Sequence, residues 1–275
     1  MQVTLLGTGD TTGTPTPGCD CGTCQRAVEG GMERTRFSIH VLDEETGRAL
    51  LIDCSPDLRY QFLRDDVRLP DAAIISHIHF DHLDGLGNAY RLVDQLDVYA
   101  AGEPDPATGE SVAETVSRRY DYLDRVSVTP TAPFEWFEPL PGASLACRLV
   151  PVDHPPLVCY GLVVTDGDGM LAVTGDTSYA IPERSRDAFR GADLLLADAI
   201  APASFCDSHP VGGSHPDATG TPRTFGTKHM TREGALSLAG ELDTGRVRLV
   251  HISHFYSPDE AFEEPLAVDA EQYSI

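Results

Sequence analysis

Metal-binding side chains are concentrated in one short segment of this 275-residue chain, Ser76–His82. Three of the ten histidines and one aspartate fall within six residues there. In extended backbone, side chains two residues apart point the same way, so His77 and His79 can meet one cation. After a bend, Asp81 and His82 can present to a second. We interpret the segment as a metal-binding loop.

Further metal-binding side chains follow apolar runs that predict strands. His154, Asp176 and His251 each come directly after, or shortly after, such a run. Because neighbouring strands end at a common edge of a sheet, these three residues are candidates for the remaining ligands. Asp53 ends the run 50–52 and has two interpretations, as a support for the metal loop or as an ordinary turn residue.

Cys19, Cys21 and Cys24 form a second cluster, three thiols within six residues. The first ten residues carry no visible export signal, so we expect a cytoplasmic protein in a reducing compartment. There a structural zinc ion is favoured over a disulfide, with His254 as the fourth ligand. A redox or sulfur-carrying role is the alternative for these thiols.

The elements that must position these groups are strands interspersed with helices. Predicted strands cover 2–7, 37–42, 49–52, 72–75, 125–129, 145–150, 158–165, 170–173, 193–197 and 246–251. Predicted helices cover 83–92, 110–119 and 231–242, and another starts at 55–57 with Leu58, Phe62 and Leu63 as its buried stripe. Residues 201–228 lack periodicity and predict a long loop. With no linker or repeat, we expect one α/β domain over 1–275.

The order of these motifs resembles the metallo-β-lactamase superfamily of binuclear hydrolases. The resemblance rests on H-x-H-x-D-H, a downstream histidine, a Gly-Asp pair after a strand and a late histidine. It implies a four-layer αββα sandwich and two divalent metal ions, Mn or Zn. The ligands that it implies are His77, His79 and His154 for one ion, Asp81, His82 and His251 for the other, and Asp176 as the bridge.

A narrower resemblance follows from Gly7-Thr8-Gly9, the C-x-C-x₂-C motif and the closing His251-Ile252-Ser253-His254. These motifs are similar to the branch that contains the phosphoribosyl 1,2-cyclic phosphodiesterases of phosphonate breakdown. That branch implies one structural Zn held by the cysteine site and a homodimer. It also implies that His229 is the proton donor, and Asp81 is the second expected catalytic residue. His209 and His215 are interpreted as loop residues of 201–228, a segment that could cover the active site.

The resemblance therefore implies hydrolysis of a small phosphodiester, such as phosphoribosyl 1,2-cyclic phosphate, by a hydroxide held between two metal ions. Three alternatives stay open. Two are enzymes of the same superfamily, a transfer-RNA 3′-processing endonuclease and a thioester hydrolase. The third is a non-catalytic metal-binding relative involved in cofactor biosynthesis.

The net charge is −23, with 43 acidic residues against nineteen arginines and one lysine. Such a surface repels phosphate backbones and anionic lipid, which argues against nucleic-acid and membrane partners and leaves a small-molecule substrate. No apolar run approaches the ~20 residues that span a bilayer. Dispersed acidity with little lysine also favours a halophilic protein, because at ~1 M salt the Debye length falls to ~3 Å.

Overall fold

Two mixed β-sheets face one another across an apolar core in the computed structural model, which describes all 275 residues. The strands are β1 (Gln2–Gly7), β2 (Ser38–Leu42), β3 (Ala49–Ile52), β4 (Ala72–Ile75), β5 (Leu96–Ala101), β6 (Val126–Thr131), β7 (Ala146–Val152), β8 (Cys159–Thr165), β9 (Met170–Val173), β10 (Leu194–Asp198), β11 (Gly213–Pro216), β12 (Pro222–Phe225), β13 (His229–Met230), β14 (Arg246–Val250) and β15 (Gln272–Ser274). The helices are α1 (Gly22–Gly30), α2 (Leu58–Asp65), α3 (Phe80–Leu83), α4 (Ala89–Leu92), α5 (Val112–Arg119), α6 (Glu183–Phe189) and α7 (Arg232–Glu241).

The first sheet has the strand order β15-β1-β2-β3-β4-β5-β6, and the second has β14-β10-β9-β8-β7. Each sheet contains a run of parallel strands. These strands are β3 through β6 in the first sheet and β9, β10 and β14 in the second. A small third sheet, β11-β12-β13, is formed by residues from the second half of the chain. Parallel strands need crossover connections, which helices supply here.

Alternating burial along the strands explains the layers. In β8, Leu162 and Val164 join the core between the sheets, whereas Val163 packs on the opposite face with Phe189 of α6 and Leu238 of α7. The first sheet is covered on its outer side by α2 and α5. Burying each such aliphatic or aromatic side chain stabilises the fold by about 1.5–3 kcal/mol. The predicted four-layer αββα sandwich is confirmed.

One detail of the predicted core was wrong. In α2, Leu58 and Phe62 are buried, but the side chain of Leu63 is 66% exposed. Residues four apart lie on the same helix face, whereas Leu63 lies about 100° further round the axis from Phe62. The buried stripe therefore excludes it.

Two predicted elements also differ from the structure. The helix predicted over 83–92 is interrupted by a 3₁₀ turn at Asp84–Asn88, where Gly85 packs so closely that a Cβ would lie 1.9 Å from Ser55 O. The loop predicted over 201–228 instead contains a 3₁₀ helix, Ala203–Asp207, and the hairpin β11–β12. That hairpin turns at Asp217, whose Oδ1 accepts the backbone N–H of two following residues. Such local turn chemistry leaves no periodic signal.

Besides β11 and β12, the elements without a counterpart in the sequence prediction are β5, β13, β15, α1 and α6. No helix combines the length and the apolar character that crossing a membrane requires.

Candidate metal centres

The carboxyl ends of parallel strands supply most of the first centre. Asp53 follows β3, His77 comes two residues after β4, Asp176 comes shortly after β9, Asp198 ends β10, and His251 follows β14. In-register parallel pairing of β3 with β4, of β9 with β10 and of β10 with β14 aligns these ends within each of the two sheets. This is the edge of an α/β sheet at which ligands usually bind.

The backbone turns sharply where these strands end. Asp53 and His251 adopt left-handed conformations, with φ of 60° and 58°. Gly175 has φ of 63°, and a Cβ there would lie 2.9 Å from Tyr160 O, so only glycine fits before Asp176. Left-handed conformations at non-glycine residues cost about 1–3 kcal/mol each and concentrate at functional sites. The turns direct three of the predicted site side chains inward.

The first group of predicted ligands is brought together around the ring of His79. Its Nδ1 lies 2.9 Å from His77 Nε2 and 3.4 Å from His154 Nε2. Asp176 Oδ2 lies 3.6 Å from His77 Nε2. One ligand atom from each of the four residues falls within 4.8 Å of the others, which fits a single cation.

The second group lies against the same carboxylate. Asp176 Oδ2 is 3.4 Å from His82 Nε2 and 3.5 Å from His251 Nε2. Asp81 Oδ2 is 3.6 Å from each of these two nitrogens. One oxygen of Asp176 therefore faces both groups, the position that a bridging ligand between two cations would occupy.

Outer hydrogen bonds fix two of the rings. His77 Nδ1 donates to Ser76 Oγ over 3.0 Å, and that hydroxyl donates to Asp53 Oδ2 over 2.7 Å. His82 Nδ1 donates to the same Asp53 oxygen over 2.7 Å. Each bond leaves the Nε2 lone pair of the ring facing the centre, as metal-ligating histidines require. Of the two interpretations of Asp53, the geometry favours the support role.

A second buried carboxylate, Asp198, holds the ring of His229 on the other side of the centre. Its Oδ2 accepts from His229 Nδ1 over 3.0 Å and from the backbone N–H of Thr177 over 2.9 Å. Its Oδ1 lies 3.7 Å from His251 Nδ1. Sequence reasoning missed this residue, although a buried run Leu194–Ala197 ending in aspartate is the same signal that identified Asp53.

His229, the predicted proton donor, lies at the rim of this centre. Its ring stacks on that of His251, with centroids 4.9 Å apart and planes 13° apart. Its side chain is 15% exposed. Nδ1 is engaged by Asp198, so Nε2 is the nitrogen available to a substrate. His229 also falls in a group with Asp176 and His251 whose ligand atoms lie within 4.8 Å, so its geometry also permits a ligand role.

The donor set has buried atoms that lack any partner in the protein. Asp81 Oδ1, His82 Nε2 and His251 Nε2 are buried and make no hydrogen bond, although Thr11 Oγ1 donates to Asp81 Oδ2 over 2.6 Å. Leaving such groups unpaired costs about 1–3 kcal/mol each. A set of imidazole nitrogens and carboxylate oxygens aimed at a common point fits divalent cations such as zinc or manganese.

The protonation of the metal-free centre supports the same conclusion. Burial lowers the pKa of His154 to about 3 and that of His77 well below its usual value, so both are neutral. Burial opposes the charged form of His82 and His251 too, but nearby carboxylates raise the pKa of His82 well above normal and that of His251 to about 9. Despite its burial, Asp176 has a lowered pKa because these histidines face it. Bound cations would take the place of the two protons.

The predicted cysteine cluster also comes together. His254 Nδ1 lies 3.2 Å from Cys19 Sγ and 3.5 Å from the sulfurs of Cys21 and Cys24. Zinc bonds of about 2.3 Å to sulfur and 2.0 Å to nitrogen give tetrahedral edges of roughly 3.5 Å. All seven cysteines are free thiols in the structure. The four residues fit one tetrahedral zinc ion.

Local hydrogen bonds lower the pKa of one of these thiols. Cys21 caps the N-terminus of α1, where its sulfur accepts from Cys24 N over 3.5 Å. Burial alone would raise the pKa of Cys21, but this bond and its neighbours lower it to about 7. Burial raises the pKa of Cys24 to about 11. A bound cation would favour the thiolate of every cysteine in the cluster.

The two remaining histidines of the 201–228 segment lie outside both metal groups. His209 packs beside Phe205 and Phe225, with ring centroids 5.3 Å and 5.1 Å away. His215 is exposed on β11, where its Nδ1 and Thr224 Oγ1 lie 2.9 Å apart.

Comparison with known proteins identifies the superfamily of this chain. The model of the beta-lactamase superfamily domain matches residues 48–252. An octanoyltransferase of Porphyromonas gingivalis (strain ATCC BAA-308 / W83) is 27% identical over 92% of this chain, which spans only 46% of that protein. The probable metallo-hydrolase YhfI of Bacillus subtilis (strain 168) is 25% identical over 80% of this chain and 82% of its own length. A ribonuclease Z of Parasynechococcus marenigrum (strain WH8102) is 24% identical over 98% of this chain and 93% of its length.

Solved structures agree over the whole chain. A diphosphatase from the PhnP family superposes with a TM-score of 0.76 at 25% identity, covering 99% of this chain and 96% of its own. Zn²⁺-bound PqqB from Methylobacterium extorquens superposes with a TM-score of 0.77 at 23% identity over both full chains, a likeness of fold. The chain belongs to the beta-lactamase superfamily, as a metallo-β-lactamase-fold hydrolase that resembles the PhnP family.

Proposed function

We propose that this protein is a binuclear metal-dependent phosphodiesterase that hydrolyses a small cyclic phosphodiester, such as phosphoribosyl 1,2-cyclic phosphate. The observation that carries the proposal is the single oxygen of Asp176, which lies 3.4–3.6 Å from the Nε2 atoms of His77, His82 and His251. A carboxylate shared between two ligand groups suits a pair of cations that act on one phosphate.

Seven side chains would hold the two cations. One cation would be held by His77, His79, His154 and Asp176, and the other by Asp81, His82, His251 and Asp176. Divalent cations in such a pair supply Lewis-acid charge to the phosphate oxygens and lower the pKa of water from ~16 towards ~7. Asp53 and Ser76 hold the rings of His77 and His82 in the orientation that this binding needs.

His229 supplies the proton. Hydrolysis forms one bond from water oxygen to phosphorus and breaks the bond from phosphorus to the ester oxygen, which must then be protonated. His229 in its imidazolium form donates from Nε2 to that leaving oxygen, and the proton released by the attacking water restores it. Asp198 holds Nδ1 and stabilises the imidazolium through the ion pair of 3.0 Å.

The cyclic phosphodiesterase branch is supported by the second centre. The Cys19, Cys21, Cys24 and His254 cluster matches the motif that suggested this branch from the sequence, and the solved PhnP-family diphosphatase covers 99% of this chain. The acidic surface fits a small substrate better than RNA, because the local charge of the metal centre can attract one phosphate.

The test is metal analysis combined with turnover. We expect about three ions per chain, one of them zinc, and manganese-dependent hydrolysis of bis(p-nitrophenyl) phosphate and of cyclic phosphoribose. A single zinc ion per chain without turnover of either substrate would reject the enzyme and support a non-catalytic metal-binding relative.

A second candidate function is hydrolysis of an acyl thioester. It is favoured by the similarity to the octanoyltransferase, which covers 92% of this chain. Release of free thiol from an octanoyl thioester by the manganese- or zinc-loaded protein, without release of p-nitrophenol from the phosphodiester, would establish this function instead.

The ribonuclease Z similarity makes precursor transfer RNA the third substrate to test. The net charge of −23 opposes RNA binding, since affinity for a phosphate backbone comes mainly from cationic side chains. We therefore expect no cleavage of precursor transfer RNA at salt concentrations that support hydrolysis of the small diester.

A further inference from the structure

Thr11 is an exposed residue whose hydroxyl contacts a buried predicted ligand of the metal centre. Its Oγ1 donates to Asp81 Oδ2 over 2.6 Å, although the two residues lie 70 positions apart in the chain. No other group of the protein hydrogen-bonds to the Asp81 carboxylate, and Asp81 Oδ1 is buried without any partner. The orientation of this carboxylate therefore depends on a single hydroxyl.

The oxygen that accepts this bond is also the one that faces the second cation, the cation assigned to Asp81, His82 and His251. Asp81 Oδ2 lies 3.6 Å from His82 Nε2 and 3.6 Å from His251 Nε2. A carboxylate oxygen has two lone pairs, so Oδ2 can accept from Thr11 and still bind a cation. Rotation about the last side-chain bond of aspartate is only weakly restricted. The hydroxyl therefore decides which oxygen faces the ion.

The backbone next to Thr11 is anchored beside another predicted ligand of the same cation, His251. The N–H of Asp10 donates to the carbonyl of Ile252 over 3.2 Å, and Ile252 directly follows His251. One N-terminal segment therefore reaches Asp81 through a side chain and the neighbour of His251 through its backbone.

A hydrogen-bonded turn holds the backbone on which Thr11 lies. Asp10 Oδ1 accepts the backbone N–H of Thr12 over 3.1 Å and that of Gly13 over 3.0 Å. Aspartate side chains commonly close turns in this way. Because the turn is closed by Asp10 and Thr11 itself is exposed, the Thr11 hydroxyl can be removed without opening the turn or the core.

The ligands of the first cation have no contact of this kind. His77 is held by Ser76 Oγ over 3.0 Å, and His154 by the carbonyl of Lys228 over 3.2 Å. None of the ligands of this cation hydrogen-bonds to residues 8–13. A change at Thr11 should therefore act on one cation and spare the other.

We propose that Thr11 is a positioning residue for the second cation, because its hydroxyl holds Asp81 with Oδ2 towards the ion and so tightens binding of that ion. This inference rests on the two cations of the proposed function, but not on the identity of the substrate. Outer hydrogen-bond partners of metal ligands typically contribute about tenfold to a hundredfold in metal affinity.

The test is titration of the full chain with manganese, after the ions of the binuclear centre have been removed by dialysis against a chelator. Electron paramagnetic resonance measures free manganese at each step, which gives the two dissociation constants. Thr11→Val replaces the hydroxyl by a methyl group of similar size. It should raise one constant by about tenfold to a hundredfold and leave the other unchanged. Thr11→Ser keeps the hydroxyl and should restore most of the affinity.

Thr12→Val is the matched control. Thr12 is the exposed neighbour on the same turn, and its hydroxyl donates to Asp10 and not to a predicted metal ligand. Its replacement should leave both constants unchanged. Thr11→Ala is a second variant that removes the hydroxyl without adding a methyl group, and it should show the same loss as Thr11→Val. Zinc content and the thermal unfolding temperature, Tm, are measured for every variant so that a loss of folding is recognised.

Three results would overturn the inference. These are unchanged constants in Thr11→Val and Thr11→Ala, an equal loss for both ions, and a loss in Thr12→Val as large as that in Thr11→Val. A wild-type centre that binds a single manganese ion would overturn the inference and the proposed function together. A wild-type centre that binds two ions but hydrolyses no phosphodiester would reject the proposed function alone, and the inference would then be decided by the binding constants.

Discussion

Asp198 Oδ2 lies 3.0 Å from His229 Nδ1, and the other oxygen of the same carboxylate faces Nδ1 of His251. Asp198 is buried, and burial raises its pKa above the ordinary aspartate value, so its charge depends on these imidazoles. One buried carboxylate thus holds the predicted proton donor by a hydrogen bond and faces a predicted metal ligand across 3.7 Å.

Replacing Asp198 by asparagine should lower kcat by about tenfold to a hundredfold, the usual effect of removing an outer partner of a site histidine. The amide cannot stabilise the imidazolium of His229. Steady-state kinetics at saturating manganese, with metal content measured in parallel, checks the prediction. Asp187→Asn, a change to an exposed carboxylate of α6, is the control and should leave kcat unchanged. An unaltered kcat in Asp198→Asn would remove the support for this role.

His229→Ala should lower kcat by about 10²- to 10⁴-fold, the contribution of a general acid, while both cations stay bound. The readouts are turnover and metal content by mass spectrometry. His215→Ala on the exposed hairpin is the matched control. If His229→Ala loses one ion, His229 is a ligand and the proton donor must be sought elsewhere.

The free energy of unfolding of the metal-free protein should decrease as the pH rises from 6.5 to about 9. Folding raises the pKa of His251 from 6.5 to about 9, so the folded state binds the proton more tightly than the unfolded state. That contribution is complete below pH 6.5 and is lost as the pH rises through about 9. Urea unfolding in EDTA should show the decline, whereas the manganese-loaded protein should lack it. Equal pH slopes for the two forms would contradict the assigned proton.

Cys24→Ser should remove one zinc ion per chain and lower Tm, because binding to a structural site contributes directly to folding. The binuclear ions should stay, since the two centres share no ligand. Cys206→Ser is the control, a buried thiol outside the cluster. Zinc content that is identical in the two variants would show that the cluster does not hold the ion.

The stability of the protein should increase with salt. Raising NaCl from about 0.1 M to about 1 M shortens the Debye length from ~10 Å to ~3 Å and screens the repulsion among the 23 excess negative charges. We expect a higher Tm in NaCl than in sucrose of equal osmolality, measured by differential scanning calorimetry. A Tm that rises equally in both would count against the halophilic interpretation.

The predicted ligands came together because their signals are local. A histidine cluster after a buried strand, or an aspartate that ends an apolar run, can be recognised within about ten residues. Asp198 was missed because its function depends on where His229 and His251 lie, and they are 31 and 53 residues further along the chain. The hairpin at 213–225 escaped prediction for a different reason, since a turn closed by one Asp217 side chain has no periodic pattern.

The N-terminal segment has a consequence for the order in which the molecule can assemble. Gly9 pairs both with Arg36, next to the first sheet, and with Ile252, which follows β14 of the second. Thr8 bonds Asp269, 261 residues away, and Cys19 meets His254, 235 residues away. Contacts of such long range form late, because the loop between them must close first. During synthesis, Thr8 and Cys19 are therefore made long before Asp269 and His254, the partners with which they close the contacts beside the metal centres. Metal uptake should therefore be one of the last events in the maturation of this protein.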